Sequence, residues 1–222
     1  MDQERQMSQS MPLAILLTLA GGFQDAYSYN SRGHVFANAQ TGNIVLFAQN
    51  LMSAQFSQAL HYLLPVLAFI LGVYISEKIH QKYKYSHLFH WRQLVLVSEI
   101  FLLILAGFLK TDMIANVLLS FACAMQVQSF RKFKGISFAT TMCIGNMRSA
   151  TEMLCHYHLN KDKELKRKSL YYYLLILTFA FGAGIGALCS WQWGNYAIWI
   201  AAFFMLIGVI LMFVQEEKHV KE

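Results

Sequence analysis

With 222 residues, 56% of them hydrophobic and only 14% Asp, Glu, Lys or Arg, the chain carries far fewer charges than the roughly 25% of a soluble domain. That deficit excludes an ordinary water-soluble fold and leaves a lipid bilayer as the solvent. The net charge of +6 does not indicate nucleic acid, because the basic residues lie in short stretches between apolar runs, where they orient a membrane protein.

Six runs, 11–29, 59–79, 93–109, 112–128, 170–190 and 196–214, approach the ~20 apolar residues that cross a hydrocarbon core. The whole chain, 1–222, is therefore predicted to be one all-α transmembrane domain. The opening MDQERQMSQS leads into the first run without a small-residue cleavage site, so that run is read as an uncleaved span. It contains Gln24 and Asp25, the latter too deep for so short a side chain to snorkel to the surface. Asp25 either carries a proton or binds a cation, or it makes a structural hydrogen bond or ion pair.

Residues 35–51, VFANAQTGNIVLFAQNL, are apolar at both ends but hold Asn38, Thr41, Gly42 and Asn43 in the middle. Glycine permits an unwound backbone, asparagine can cap the following helix, and non-helical backbone at membrane depth belongs where protein or water surrounds it. A broken or re-entrant helix is predicted. In the second run Pro65 should kink the helix. In the third, Glu99 is either part of a proton path or bonds to a neighbouring helix. The fourth run ends in Gln126 and Gln128, read as cavity amides or interhelical hydrogen bonds.

A second broken segment, near 140–154, carries Gly145, Asn146 and Arg148. Arg148 either partners Asp25 or faces the basic stretch 161–168. Gly182 and Gly186 in the fifth run allow a neighbouring backbone to approach closely.

The halves share ordered marks. Thr41-Gly42-Asn43 matches Ile144-Gly145-Asn146, Asp25 matches Gln128, and Gly72 matches Gly182. Each half, about 11–110 and about 112–214, then holds three crossings and one broken segment. An odd number of crossings makes the second copy inverted relative to the first, an architecture that places a site near the midplane where the repeats meet. With six crossings, all of the 18 Lys and Arg except Arg32, Lys110 and Arg148 fall on the cytoplasmic side, together with both termini.

The residues GGFQDAYSY, HVFANAQTGNIV and the second IGN resemble the YoaK-type family of uncharacterised bacterial membrane proteins. The resemblance covers nearly the whole chain and implies an inner-membrane protein of about six helices, without a substrate. Ile144 stands where threonine would complete the second motif, so a hydroxyl is expected only in the first half.

Cys155-His156-Tyr157-His158 and the spread His80, His87 and His90 lack a completing ligand set, so no metal site is expected. The four cysteines read as small core residues. No nucleotide or hydrolase motif occurs, and neither catalytic residue nor cofactor is expected. The favoured reading is a small-solute transporter or channel, its solute- or ion-binding residues being Gln24, Asp25, Asn38, Thr41, Gly42, Asn43, Gln128, Gly145, Asn146 and Arg148. The partners are then lipid and an unknown solute or ion, with self-association left open. A non-transporting assembly or regulatory protein is the rival.

Overall fold

The computed structural model describes residues 10–83, 91–133 and 136–220. Arg5, Lys84, His87, His90, Lys134 and Lys221 lie outside the described residues. In chain order the elements are α1 (Met11–Ser31), α2 (Gln40–Met52), α3 (Phe56–Tyr83), α4 (Trp91–Phe108), α5 (Asp112–Ser129), the two-residue strands β1 (Lys132–Phe133) and β2 (Ile136–Ser137), α6 (Cys143–Asn160), α7 (Lys163–Trp193) and α8 (Ile198–Val220). β1 and β2 pair as a small antiparallel hairpin.

Each of the six apolar runs is helical. Among the described residues, three stretches are long and apolar enough to cross a membrane: α3, α4, and Lys163–Phe213, which holds α7 and most of α8. The last is two helices because Gly194, at φ +53, turns the chain between them. α7 presents Tyr171 and Tyr173 near one end and the exposed Trp191 and Trp193 near the other. Tyr171 and Trp191 thus bracket about 30 Å of helix, the thickness of a hydrocarbon core, with aromatic residues at the level of the two interfaces. Between them Leu177 and Phe181 are exposed to the surroundings, as a lipid-facing surface requires.

Close helix pairs are built on glycine. A Cβ on Gly22 would come within 2.0 Å of the Phe179 carbonyl oxygen, and one on Gly182 within 2.2 Å of the Leu19 carbonyl oxygen, so α1 and α7 run backbone against backbone. Gly186 meets Phe23 in the same way, and the Tyr27 hydroxyl donates to the Asn195 carbonyl at 2.9 Å. Rising numbers on α1 thus meet rising numbers on α7, and the two helices are parallel.

Gly72 does for α3 and α5 what Gly182 does for α7 and α1: its Cβ would lie 2.6 Å from the Phe121 carbonyl oxygen. Ser76 bonds to Ser129 at 3.1 Å, which makes this pair parallel as well. α8 runs against both α1 and α4, since Gly208 lies beside Leu13 and Leu96, Phe204 packs on Phe23, and Trp199 packs on Gly107. α4 and α5 are antiparallel, with the Arg92 Nε donating to the Ser129 carbonyl at one end. The largest buried cluster joins α1, α4, α5 and α8 through Leu13, Leu17, Phe23, Leu96, Leu103, Leu119 and Met205.

The helix break expected inside Thr41-Gly42-Asn43 lies just before it. α2 begins at Gln40 and has 13 residues, about 20 Å, short of a full crossing. α6 likewise begins at Cys143, immediately before Ile144-Gly145-Asn146. What precedes each helix is the stretch that leaves the regular backbone.

Candidate functional site: two returning legs around α1

After α1 the chain turns at Gly33 and His34, both with positive φ (74 and 60), and runs back along the helix it has just left. The Ala37 amide donates to the Ser28 hydroxyl at 3.0 Å. The Asn38 amide donates to Asp25 Oδ1 at 2.7 Å, and the Asn38 side chain donates to the Gly21 carbonyl at 2.7 Å. Having descended from Ser31 to the level of Gly21, the chain forms α2 and packs on α3.

The second half repeats the manoeuvre beside α5. The Thr140 hydroxyl accepts from Gln126 Nε2 at 2.7 Å, Thr141 faces Cys123, and α6 then leads away to pack on α7.

The two motif asparagines explain themselves in this geometry. Asn43 Nδ2 donates to the Phe36 carbonyl at 2.7 Å while its Oδ1 accepts from the Phe36 amide at 3.0 Å. Asn146 makes the same pair of bonds to Ala139, at 2.8 and 3.4 Å. Each side-chain amide thus acts like an extra peptide group, satisfying an extended strand that no sheet would otherwise pair. The expected capping role is corrected: α2 and α6 have Ala39 and Met142 at their N-caps and no side-chain cap. Gly42 is small because the Phe36 ring lies where its Cβ would be, at 3.0 Å.

The tips of the two legs meet. Asn38 and Thr141 each stand five residues before a clamp asparagine, and both lie on Gly21. Asn38 bonds to its carbonyl, and Thr141 Cγ2 would be 2.9 Å from a Cβ placed there. Around this junction are the buried polar residues Thr18, Gln24, Asp25, Asn38, Ser120, Gln126, Thr140 and Thr141.

Asp25 is fixed at the first tip, with the backbone amides of Asn38 and Ala39 directed at its carboxyl. Those amides lead into α2, whose N-terminal end carries partial positive charge. The carboxyl therefore serves as the acceptor that a helix start lacking its own cap requires. Glu99 of α4, in the same interior, has less company. It is fully buried and receives no backbone amide among the described residues; the Gln24 side-chain amide is the one donor beside its carboxyl.

The other residues predicted for the site are placed as follows. Gln128 turns away and donates to Glu77 at 2.5 Å, and the buried glutamine of α5 is Gln126. Arg148 is exposed on α6 and does not meet Asp25, and Gly145 has open space where a side chain would point. Thr41 and Ile144 are both exposed, so the missing second hydroxyl leaves the junction unchanged. Gln24, Asp25 and Asn38 are together at the junction, with Asn43 and Asn146 holding the legs that reach it.

The arginine that matters is Arg32, fully buried. Its Nε donates to the Tyr27 hydroxyl (2.8 Å), Nη1 to the Leu109 carbonyl (2.7 Å) and Asp112 (3.2 Å), and Nη2 to the Ala106 carbonyl (2.6 Å). Asn116 closes the set by donating to the Arg32 carbonyl at 2.7 Å. The guanidinium thus neutralises the end of α4 and ties it to the start of α5. Sequence reading had placed Arg32 merely in a connecting stretch. Its carbonyl partners and Asp112 are remote in the chain, and only Tyr27, five residues before it, lies close in sequence.

The family model described as "Protein of unknown function (DUF1275)" matches residues 13–211, nearly the full length of this helical array. The chain belongs to that family. It is also 25% identical over 210 residues to the UPF0700 transmembrane protein YoaK of Bacillus subtilis (strain 168), covering 90% of this chain and 92% of that protein. The resemblance read from GGFQDAYSY and HVFANAQTGNIV is thereby borne out, and the chain is a transmembrane protein of the DUF1275/UPF0700 family. No solved structure matches it.

Proposed function

We propose that this membrane protein is a small-solute transporter or channel built from two inverted repeats, about 11–110 and 112–214, each with three crossings and one re-entrant leg. The observation that carries the reading is the meeting of Asn38 and Thr141 on Gly21, at the tips of legs that arrive from opposite ends of the helix array.

The packing supports two-fold internal symmetry. α1 lies on α7 as α5 lies on α3, α2 on α3 as α6 on α7, and α1 on α8 as α5 on α4, while α4 and α8 pack on each other. The pairwise directions fit inversion: α1 and α4 run with α7, whereas α3 runs with α5 and α8. Repeats arranged in this way place substrate sites at broken helices near the bilayer midplane. A polar layer of amides, hydroxyls and one anchored carboxyl at the tips is the chemistry a small polar solute or ion would meet. A cleft of about 630 Å³ at the Ser31 end, lined by Gly33, His34, Asn50, Gln55, His61 and Tyr62 among others, would be its approach from that side.

The rival, a non-transporting assembly protein, is favoured by one observation: Asn43 and Asn146 spend their amides on backbone, so the junction is closed in this conformation. A stabilisation screen of purified protein across solute classes, followed by uptake of each hit into proteoliposomes, separates the two. Uptake that Gly21→Ala diminishes, by pressing a methyl onto Thr141, is the expected result. Stabilising solutes that are never taken up would favour the rival.

A further inference from the structure

A fully buried carboxyl with one side-chain amide beside it and no cation among the described residues is an anomaly that needs an occupant. Glu99 is 0% exposed, and among the described residues its oxygens have no well-formed hydrogen bond beyond the approach of the Gln24 amide, while the nearby side-chain oxygens of Thr18, Gln24, Asn38 and Gln126 are also unpartnered. Apart from the Thr18 hydroxyl, which can donate as well as accept, these unpartnered atoms are acceptors, so the interior is short of positive charge or donated hydrogen. Burial of an unpaired carboxylate is among the costliest arrangements in a protein, and intramembrane acids of this kind mark ion and proton pathways.

The titratable groups within electrostatic reach of the same place are Asp25 of α1 and Cys123 of α5. Asp25 is already engaged by the Asn38 and Ala39 amides. α8 supplies no titratable residue between Ile198 and Phe213. α3 touches α4 only slightly, and its Glu77, Lys78 and His80 sit toward the Tyr83 end, while Tyr196 before α8 is exposed. No described cation can neutralise Glu99.

We infer that Glu99 is a proton seat that loads and empties when the interior opens to water, which makes the transport proposed above proton-coupled. The inference depends on that reading for its purpose, but its test needs no transported solute. Gln24 is the positioning residue: its amide lies against the carboxyl and sets how readily the proton leaves.

The experiment is infrared titration of the full chain reconstituted in vesicles, following the C=O stretch of protonated carboxyl from acidic to alkaline pH in sodium-free buffer and again with sodium added. Wild type is expected to show a reversible carboxylic band that Glu99→Gln removes while the thermal unfolding temperature holds, and that sodium does not bleach at fixed pH. Gln24→Leu, which leaves the carboxyl in place, is expected to displace the titration midpoint; it serves as the second arm should Glu99→Gln fold poorly.

A band that survives Glu99→Gln, a midpoint indifferent to Gln24→Leu, or the absence of any titrating band overturns the proton seat. Bleaching by sodium at fixed pH overturns it in favour of a sodium site. If the band behaves as expected but no solute is ever taken up, the transport reading falls and the proton seat stands.

Discussion

Asp25 and Glu99 are two buried acids in one interior, yet they have opposite surroundings. Asp25 receives backbone amides from the chain that doubles back beside it, and it is as much a part of the fold as a helix cap. Glu99 receives no backbone amide among the described residues and has only the Gln24 side-chain amide beside it. The difference teaches that an acid inside a membrane protein is not one kind of evidence. The count of donors around it separates an acid that builds the structure from an acid left free to act.

Substitutions can break that contrast. Asp25→Ala should be the most damaging, because it leaves the Asn38 amide buried and unsatisfied, at about 1–3 kcal/mol, and removes the acceptor of the Ala39 amide as well. The expected result is a large fall in unfolding temperature and loss of the monodisperse species. Glu99→Leu should go the other way. Replacing a buried acid that has one amide neighbour by an apolar residue of similar size removes a desolvation cost of about 1–3 kcal/mol, so the protein should melt no lower while losing any proton-dependent activity. Equal destabilisation by the two substitutions would erase the distinction.

The clamps sharpen it next. Asn43→Ala and Asn146→Ala each remove two side-chain bonds to backbone, at about 1–2 kcal/mol, with Asn146 the milder because its second bond is longer, 3.4 against 3.0 Å. Thermal melts of both variants in one detergent check the order. Arg148→Ala, at an exposed position, should shift stability by no more than about 0.5 kcal/mol, and a large loss would show that α6 presents its outer face to something that binds it.

The apolar runs and the paired glycine-asparagine motifs were legible in the sequence because length, hydropathy and repetition are local properties. The side of a helix was not. Asp25 aligns with Gln128 by number, yet the inward glutamine of α5 is Gln126, two residues and about 200° away around the helix. Arg148 misses Asn146 for the same reason, standing two residues beyond it on the opposite side of α6. Burial of Arg32 and the solitude of Glu99 depend on partners brought from other helices, and no spacing along the chain announces either.

The union of α1 with α7 has a consequence for biogenesis. The backbone that Gly22 of α1 needs belongs to residues 179–183, and its other large partner, α8, follows α7 in the chain. The glycine face of α1 therefore stays uncovered until α7 has been made. Pairings so distant in sequence are slow to form and vulnerable while they are incomplete. A chain stopped before α7 would lack the backbone on which Gly22 packs, so the core around α1 closes only once α7 and α8 are present.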